Sequence, residues 1–227
     1  MFTAQTYCAE ALSLSAELGD QEGMSWSLNG LSIVALGLGN TVQAIQLGEE
    51  SLRLSREWSA EHHVGIRAYW LARAVLQSGD IAGAVQLLEE NIARCRRVQF
   101  DWGEAASLQG LGDIRLSQGD LASARALHRD AIALLRAGNY GYSTAYSLDS
   151  FAAIRAAESS WQRAAQLLGA ADALRERIHT ALLPIERKPR EKLVATIAGQ
   201  LGASEFGSAR TQGYALTLEE AMQMIEC

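Results

Sequence analysis

A period of about 40 residues constrains the fold of this chain more than any other feature of its sequence. Equivalent turns recur at Gly39-Asn40, Gly79-Asp80 and Gly119-Asp120, and in degenerate form at Ser159-Ser160. An alanine stands five residues after the first position of each turn, at Ala44, Ala84, Ala124 and Ala164. A fixed period of this length is typical of arrays in which each unit packs only on its neighbours.

Each period is predicted to form two antiparallel helices. In the first unit, Leu28, Leu31, Val34 and Leu38 are three or four residues apart, which places them on one face of a helix over about 23 to 37. The turn glycine ends that helix, and the following Asn or Asp caps a second helix over about 41 to 57. With only two prolines in the chain, an all-α fold is expected. The alanines would let the two helices approach closely, and the leucines three residues later would fill the contact between them: Leu47, Leu87, Leu127 and Leu167.

The third unit carries the order Leu111-Gly112, Gly119-Asp120, Ala124 and Ala131. This order resembles the tetratricopeptide repeat family, whose usual period of about 34 residues is here stretched to about 40. The other units replace the small residue at 112 by Ser32, Ala72 or Ala152. The resemblance implies a right-handed superhelical solenoid over residues 1–180, beginning with an incomplete repeat. A HEAT-like or generic helical-hairpin solenoid is the alternative.

Residues 181–227 are predicted to form C-terminal capping helices over the end of the solenoid. The first would run from about 186 or 189 to 201 and end at Gly202, with Pro189 confined to its first turn. The second would run over about 204 to 212 and end at Gly213. The third would begin with the capping-box pattern Thr217-Leu-Glu-Glu220. The basic residues between Arg175 and Lys192 are interrupted by glutamates and predict a solvated helix face.

The order of segments over residues 161–224 suggests a context for the repeats. AAQLLGAADALRER, a proline-containing link, a basic helix, FGSARTQG and YALTLEEA follow one another. This order resembles the C-terminal ends of large bacterial regulators of the LuxR type and of related predicted ATPases. The resemblance implies the sensor or partner-binding region of a transcriptional or signalling protein, with nucleotide and DNA sites upstream.

The beginning of the chain fits the repeat as a second helix without its first helix. Ala4, Tyr7, Ala11 and Leu14 stand 40 residues before Ala44, Leu47, Ser51 and Leu54. An apolar stripe is therefore expected to lie uncovered there, and such stripes tend to find a partner. This predicts either a homodimer through residues 1–18 or fraying of that segment.

Several classes of function are disfavoured by what the sequence contains. A net charge of -6 with dispersed charges does not suit direct nucleic-acid binding. There is no Gly-Lys phosphate-loop signature, the adjacent His62 and His63 diverge on a helix, and His128 falls in a core column. The three cysteines form no C-x-x-C pair, and no leader or membrane-spanning segment is found. The prediction is a cytoplasmic, non-enzymatic chain without cofactor, metal or membrane contact.

In tetratricopeptide superhelices the first helices line the concave surface, and the resemblance implies a stripe of ligand-binding residues there. Polar groups among aromatic walls suit a protein, a peptide or a small-molecule inducer. The alternatives are that these side chains are merely solvated on an open groove, or that the chain is a scaffold that self-assembles through its exposed end. The predicted ligand-binding residues are Trp26, Asn29, Ile33, Tyr69, Arg73, Gln109, Asp113, Tyr146 and Asp149.

Overall fold

The helices follow the repeat of the sequence closely. The computed structural model describes residues 2–57, 61–138 and 140–226, and within these residues the chain forms helices and no strand. None of the described helices is both long enough and apolar enough to cross a membrane. The helices are α1 (Phe2–Leu18), α2 (Gln21–Gly37), α3 (Thr41–Glu57), α4 (Glu61–Gln77), α5 (Ile81–Arg97), α6 (Asp101–Ser117), α7 (Leu121–Ala137), α8 (Gly141–Ala157), α9 (Trp161–Arg177), α10 (Pro184–Leu201), α11 (Ala203–Tyr214) and α12 (Leu218–Glu226).

The turns between the two helices of a unit form as the sequence predicts. Gly39, Gly79 and Gly119 have φ angles of 82°, 94° and 80°, in the left-handed region where glycine is favoured. The Asp80 carboxylate accepts a hydrogen bond of 2.8 Å from the amide of Gly83, which caps α5. Asp120 caps α7 in the same way, at 3.1 Å from the amide of Ser123. The local turn chemistry is thus confirmed.

Consecutive helices pack on one another. Their contacts divide the chain into two compact units, residues 1–110 and 111–227, each longer than one repeat. In the first unit, α1 packs on α2, α2 on α3, α3 on α4 and α4 on α5. In the second, α7 packs on α8 and α8 on α9, and α9 is also covered by α10, α11 and α12. The predicted all-α helical-repeat class is confirmed.

The alanine column is buried, as expected of residues in the contact between helices. Ala44, Ala84, Ala124 and Ala164 are all fully buried. The leucine column follows the expectation only in part, because Leu167 is fully buried whereas Leu47, Leu87 and Leu127 are half-buried. One residue further along a helix is about 100° further around its axis, and that next position faces the interior. The buried column is therefore Gly48, Leu88, His128 and Leu168.

Two boundaries predicted for the tail are wrong. Helix α10 begins at Pro184 and contains Pro189 in its second turn. Proline suits the first helical position, so Pro184 starts the helix, and the packing of α10 on α8 and α9 holds it in place across Pro189. Helix α11 continues through Gly213 to Tyr214. Gly213 does not end the helix, because its role is close packing: a Cβ there would overlap the carbonyl oxygen of Gln166 on α9.

The remaining two signals of the tail are confirmed. Gly202 has a φ of 79° and separates α10 from α11. Before α12, the amide of Thr217 donates to Glu220 Oε2 at 2.7 Å, and the amide of Glu220 donates to Thr217 Oγ1 at 3.2 Å. This reciprocal pair is the predicted capping box.

Candidate functional site

The predicted stripe in the first unit combines one exposed aromatic residue with a buried polar column. Trp26 on α2 is 43% exposed. Asn29 on α2, Tyr69 on α4 and Gln109 on α6 are buried, while Ile33 and Arg73 are half-buried. The polar column is therefore part of the helix packing rather than a row of solvated side chains.

Trp26 lies on a buried arginine. The guanidinium carbon of Arg67, on α4, is 3.9 Å from the centroid of the indole ring, a cation–π arrangement. The ring of His63 meets the indole edge-on, with centroids 5.3 Å apart. The exposed indole thus contacts two side chains of α4, the first helix of the next repeat. These contacts fix its orientation before a ligand binds.

Arg67 is only 1% exposed. Its Nε donates to Ser25 Oγ at 3.1 Å, and that hydroxyl lies 2.7 Å from Ser55 Oγ. Burial lowers the pKa of Arg67 to about 10, and Glu22 acts in the opposite direction. Among the described residues, no carboxylate forms an ion pair with Arg67 within 4.0 Å. Sequence analysis did not select Arg67, although an arginine within the apolar run VGIRAYW is a signal for it.

A second aromatic group in the first unit surrounds Arg73. Its Nη1 donates to the Tyr69 hydroxyl at 3.0 Å, and its guanidinium carbon lies 5.6 Å from the Trp70 ring centroid. The Tyr69 ring is edge-on to Trp102, with centroids 5.9 Å apart. This part of the stripe therefore presents a cation against aromatic faces, an arrangement common at binding hot spots.

In the second unit, Asp113 and Tyr146 are brought together. The Tyr146 hydroxyl donates to Asp113 Oδ2, and the other carboxylate oxygen lies 3.4 Å from Ser150 Oγ and 3.3 Å from His128 Nε2. His128 is fully buried, in agreement with its prediction as a structural residue. Asp113 thus joins α6, α7 and α8 through polar contacts.

Asp149, the last predicted residue, belongs to an ion-pair network. It accepts from Arg175 Nη2 and from Arg190 Nε, the latter at 3.0 Å. Arg190 Nη2 also donates to Asp172 at 2.6 Å, and Arg210 Nη2 donates to Asp172 at 2.7 Å. The prediction that this basic stretch is a solvated helix face is wrong for Arg175 and Arg190, whose side chains are 8% and 13% exposed. The acidic partners are distant in sequence, and only the fold brings them near.

The sequence profile of the tetratricopeptide repeat family matches residues 1–57 and 66–137, which together make up more than half of the chain. The chain belongs to the tetratricopeptide repeat family. Among curated proteins, none matches it. Tetratricopeptide repeats generally mediate interactions between proteins, and members of the family are typically not enzymes.

His62, His63 and Cys95 lie in packing contacts. His62 meets the Phe100 ring edge-on at 5.0 Å, while His63 faces Trp26, so the adjacent histidines contact different partners. Cys95 is buried, and its Sγ lies 3.8 Å from Asn91 Oδ1. In the part of the chain that the structure describes, no group of three His, Cys, Asp or Glu side chains could hold a metal ion.

Proposed function

We propose that this tetratricopeptide chain is a non-enzymatic interaction module that binds a peptide segment of a partner protein on the stripe of its first helices. The observation that carries the proposal is the exposed Trp26 ring, which Arg67 and His63 hold in a fixed orientation. A large apolar surface that is ordered before binding costs little entropy to use, and tryptophan is enriched among residues that dominate binding energy.

The chemistry of the stripe favours a ligand that combines apolar and polar groups. Trp26 and Ile33 offer apolar area on α2, and Arg73 offers guanidinium donors against the Tyr69 and Trp70 rings. In the second unit, Asp113 and Tyr146 supply an acceptor and a phenol. In each unit taken by itself, a peptide backbone with occasional large side chains matches these groups, and a polar small-molecule inducer shares the same chemistry.

The biological setting in this proposal is the sensor or partner-binding region of a cytoplasmic bacterial regulator of transcription or signalling. Its support is the resemblance of residues 161–224 to the C-terminal ends of LuxR-type regulators and related predicted ATPases. In such a protein the nucleic-acid contacts would belong to other domains, in keeping with the net charge of -6 on this chain.

The test uses a peptide selected from a random phage-displayed library against the whole chain. Its affinity is then measured by fluorescence anisotropy for the wild type, Trp26→Ala and Arg73→Gln. Val42→Ala, which alters an exposed apolar residue on α3, is the matched control. We expect Trp26→Ala to weaken binding by about tenfold or more and Arg73→Gln by several-fold, because both side chains contact the ligand.

The variants that weaken peptide binding show whether the peptide binds the stripe or another surface. Val42→Ala should bind as the wild type does. If Trp26→Ala and Arg73→Gln both leave the affinity of every selected peptide unchanged, the stripe is not the binding surface and the proposal is wrong.

A second candidate function is scaffolding by self-assembly through α1. Tyr7 and Leu18 on this helix are 65% and 72% exposed, and Leu14 between them is also exposed. These residues are seven and four positions apart, so they share one face of the helix. A neighbouring face, about 100° around the helix axis, packs on α2, where Cys8 lies against Gly30. An apolar stripe of this kind favours association with a second copy.

Light scattering at several protein concentrations tests this candidate. The wild type should dimerise with rising concentration, and Tyr7→Ser with Leu14→Ser should abolish the dimer. Leu38→Ser, at an exposed apolar position outside α1, should not. A chain that remains monomeric at all concentrations, with the amides of residues 2–18 well protected from hydrogen exchange, would exclude both the dimer and the predicted fraying.

A further inference from the structure

An open pocket lies beside α10 and α11, within the second unit. Its volume is about 470 Å³, inside the range of about 300–1,000 Å³ that small-molecule sites occupy. None of the ligand-binding residues predicted by the sequence lines the pocket, and one of them, Asp149, contacts its lining residue Arg190. Its walls come from the segment before α10, from α10 itself and from α11.

Three arginines line this pocket. They are Arg187 and Arg190 on α10 and Arg210 on α11, and Glu191 is the one acidic residue of the lining. Asp149 and Asp172 form ion pairs with Arg190 and Arg210, whereas Arg187 forms no ion pair within 4.0 Å among the described residues. Guanidinium groups present their N–H donors in a planar fork that matches carboxylate and phosphate oxygens.

Two of the arginines are fixed in place by carboxylates outside the lining. Arg190 uses Nε on Asp149 and Nη2 on Asp172, and Arg210 uses Nε and Nη2 on Asp172. The third, Arg187, makes a single hydrogen bond of 3.4 Å, from Nε to the Leu182 carbonyl. Among the described residues, Nη1 of each arginine makes no hydrogen bond, so ordered donors remain for a ligand.

The same carboxylates keep Arg190 charged. Burial acts to lower its pKa, but the charges of Asp149 and Asp172 and their hydrogen bonds act against burial, and the pKa is raised overall. Arg190 therefore stays protonated, with its charge compensated by the two carboxylates, and an anion that enters needs no proton transfer.

The rest of the lining is apolar. Leu182, Val194 and Ala195 form part of the wall, and Val194 also packs against the core of the second unit. Apolar walls next to convergent polar groups are the usual composition of a small-molecule site. A ligand that satisfied the whole pocket would carry negative charge at one end and hydrocarbon at the other.

We propose that this pocket binds a small organic anion, with a carboxylate or phosphate head on the arginines and a short apolar body against Leu182 and Val194. The proposal does not depend on the peptide-binding function, because the predicted stripe residues Trp26, Arg73 and Tyr146 do not line the pocket.

The test is isothermal titration of the whole chain with four probes: hexanoate, hexyl phosphate, inorganic phosphate and hexylamine. Hexanoate or hexyl phosphate should bind, with an affinity that falls as salt is raised, and the tighter of the two identifies the head group. Inorganic phosphate should bind more weakly than hexyl phosphate because it lacks the apolar body. Hexylamine should not bind, because its charge is repelled.

Two variants place the binding in this pocket. Arg187→Gln removes a charge that carries only one hydrogen bond in the fold, and it should weaken the anionic probes by about fivefold or more. Ala195→Trp fills the pocket from an exposed position and should abolish binding. Arg163→Gln, at an exposed arginine on α9 outside the lining, is the matched control and should bind as the wild type does.

Three results would overturn the proposal. The first is that neither hexanoate nor hexyl phosphate binds at about 10 mM, above the range expected of even weak sites. The second is that hexylamine binds as tightly as hexanoate. The third is that Arg187→Gln and Ala195→Trp, both folded by circular dichroism, bind the anions as the wild type does.

Discussion

The absence of a Cβ at certain glycines lets neighbouring helices pack closely. The sequence Gly110-Leu-Gly112 lies inside α6, where the absence of side chains serves packing. A Cβ at Gly110 would be 3.1 Å from Leu88 Cδ1, and a Cβ at Gly112 would be 2.6 Å from His128 Nε2. The repeat motif in the sequence places a small residue at 112. It could not predict that a histidine would be the neighbour, since that contact depends on how α6 meets α7.

Gly112→Ala should destabilise the fold by about 1–3 kcal/mol, because the added methyl group overlaps a fully buried imidazole that has no space to move. The measurement is the free energy of unfolding in urea. Gly199→Ala is the control, since a Cβ there meets nothing within 4 Å. That change should stabilise the protein by about 0.5–1 kcal/mol, the usual gain of alanine over glycine in a helix. Equal effects of the two substitutions would contradict the packing of α6 on His128.

Burial raises the pKa of the Cys95 thiol from 9.0 to about 11, with smaller contributions from nearby charges, of which Glu104 is the largest. The unfolded chain then loses this proton at a lower pH than the folded chain does. The free energy of unfolding should therefore fall as the pH rises from about 9 to about 11, by up to about 2–3 kcal/mol. The measurement is urea unfolding at closely spaced pH values.

Substitution separates this thiol from other titrating groups. Cys95→Ala should show a smaller loss of stability over the same pH interval, whatever its stability at pH 8. Cys8→Ala, which removes a half-buried thiol on α1, should keep the wild-type dependence. A wild type and Cys95→Ala with parallel pH profiles would show that Cys95 is not responsible.

At the scale of helices, local signals in the sequence predict most boundaries. Helix α3 spans Thr41–Glu57, as expected from the turn before it, and the capping box opens α12. The failures, at Pro189 and Gly213, have one physical cause. Each residue disfavours a helix in isolation, but each lies in a helix that packs against α9, and tertiary packing outweighs local preference.

Pro189→Ala should stabilise the protein by about 1–3 kcal/mol. Proline has no amide hydrogen to donate to the carbonyl of Ile185, and its ring crowds that carbonyl in the second turn of α10. Pro184→Ala is the control, because proline is well tolerated at the first helical position and little should change. The midpoint of thermal unfolding measures both. A lower midpoint for Pro189→Ala would mean that the ring itself makes a favourable contact.

Ala124→Leu tests the register of the helix pair in the third period. Ala124 is fully buried in the core, so a larger side chain should overpack its surroundings and cost about 1–3 kcal/mol. Gln118→Ala, at an exposed position in the preceding turn, should change the free energy of unfolding by less than about 0.5 kcal/mol. Wild-type stability in Ala124→Leu would show that the alanine column does not mark the contact.

For the molecule as a whole, the repeat class could be predicted from the sequence, whereas the details of the site could not. The period places Asn29, Tyr69 and Gln109 at equivalent positions on first helices, and they lie on α2, α4 and α6. Burial of Asn29 and Gln109 was not predicted, because periodicity identifies a face without saying how deeply its neighbours cover it. The partners of Asp149 come from α9 and α10, and no local pattern encodes such contacts. The ligand-binding role of the stripe stays a prediction.

The same neighbour-to-neighbour packing predicts unequal local stability along the chain. Helix α9 is covered by α8, α10, α11 and α12, whereas α1 packs on α2 and exposes Tyr7 and Leu18. Amide hydrogens of α9 should therefore exchange more slowly than those of α1, by about 100-fold or more. Hydrogen–deuterium exchange read by mass spectrometry of peptides measures this ratio. Similar exchange in the two helices would contradict a stability gradient set by packing.

The three glycine turns also affect how a gene for such a chain can change. Each turn is built from a left-handed glycine, and the turns at Asp80 and Asp120 add a capping carboxylate within a few residues of it. The signals that end one helix and start the next are thus contained in the turn itself. An in-frame duplication or loss of one whole period would leave the helices on either side of each such turn with a proper end and start. Descendants of this sequence can therefore differ in their number of repeats while each helix pair keeps its form.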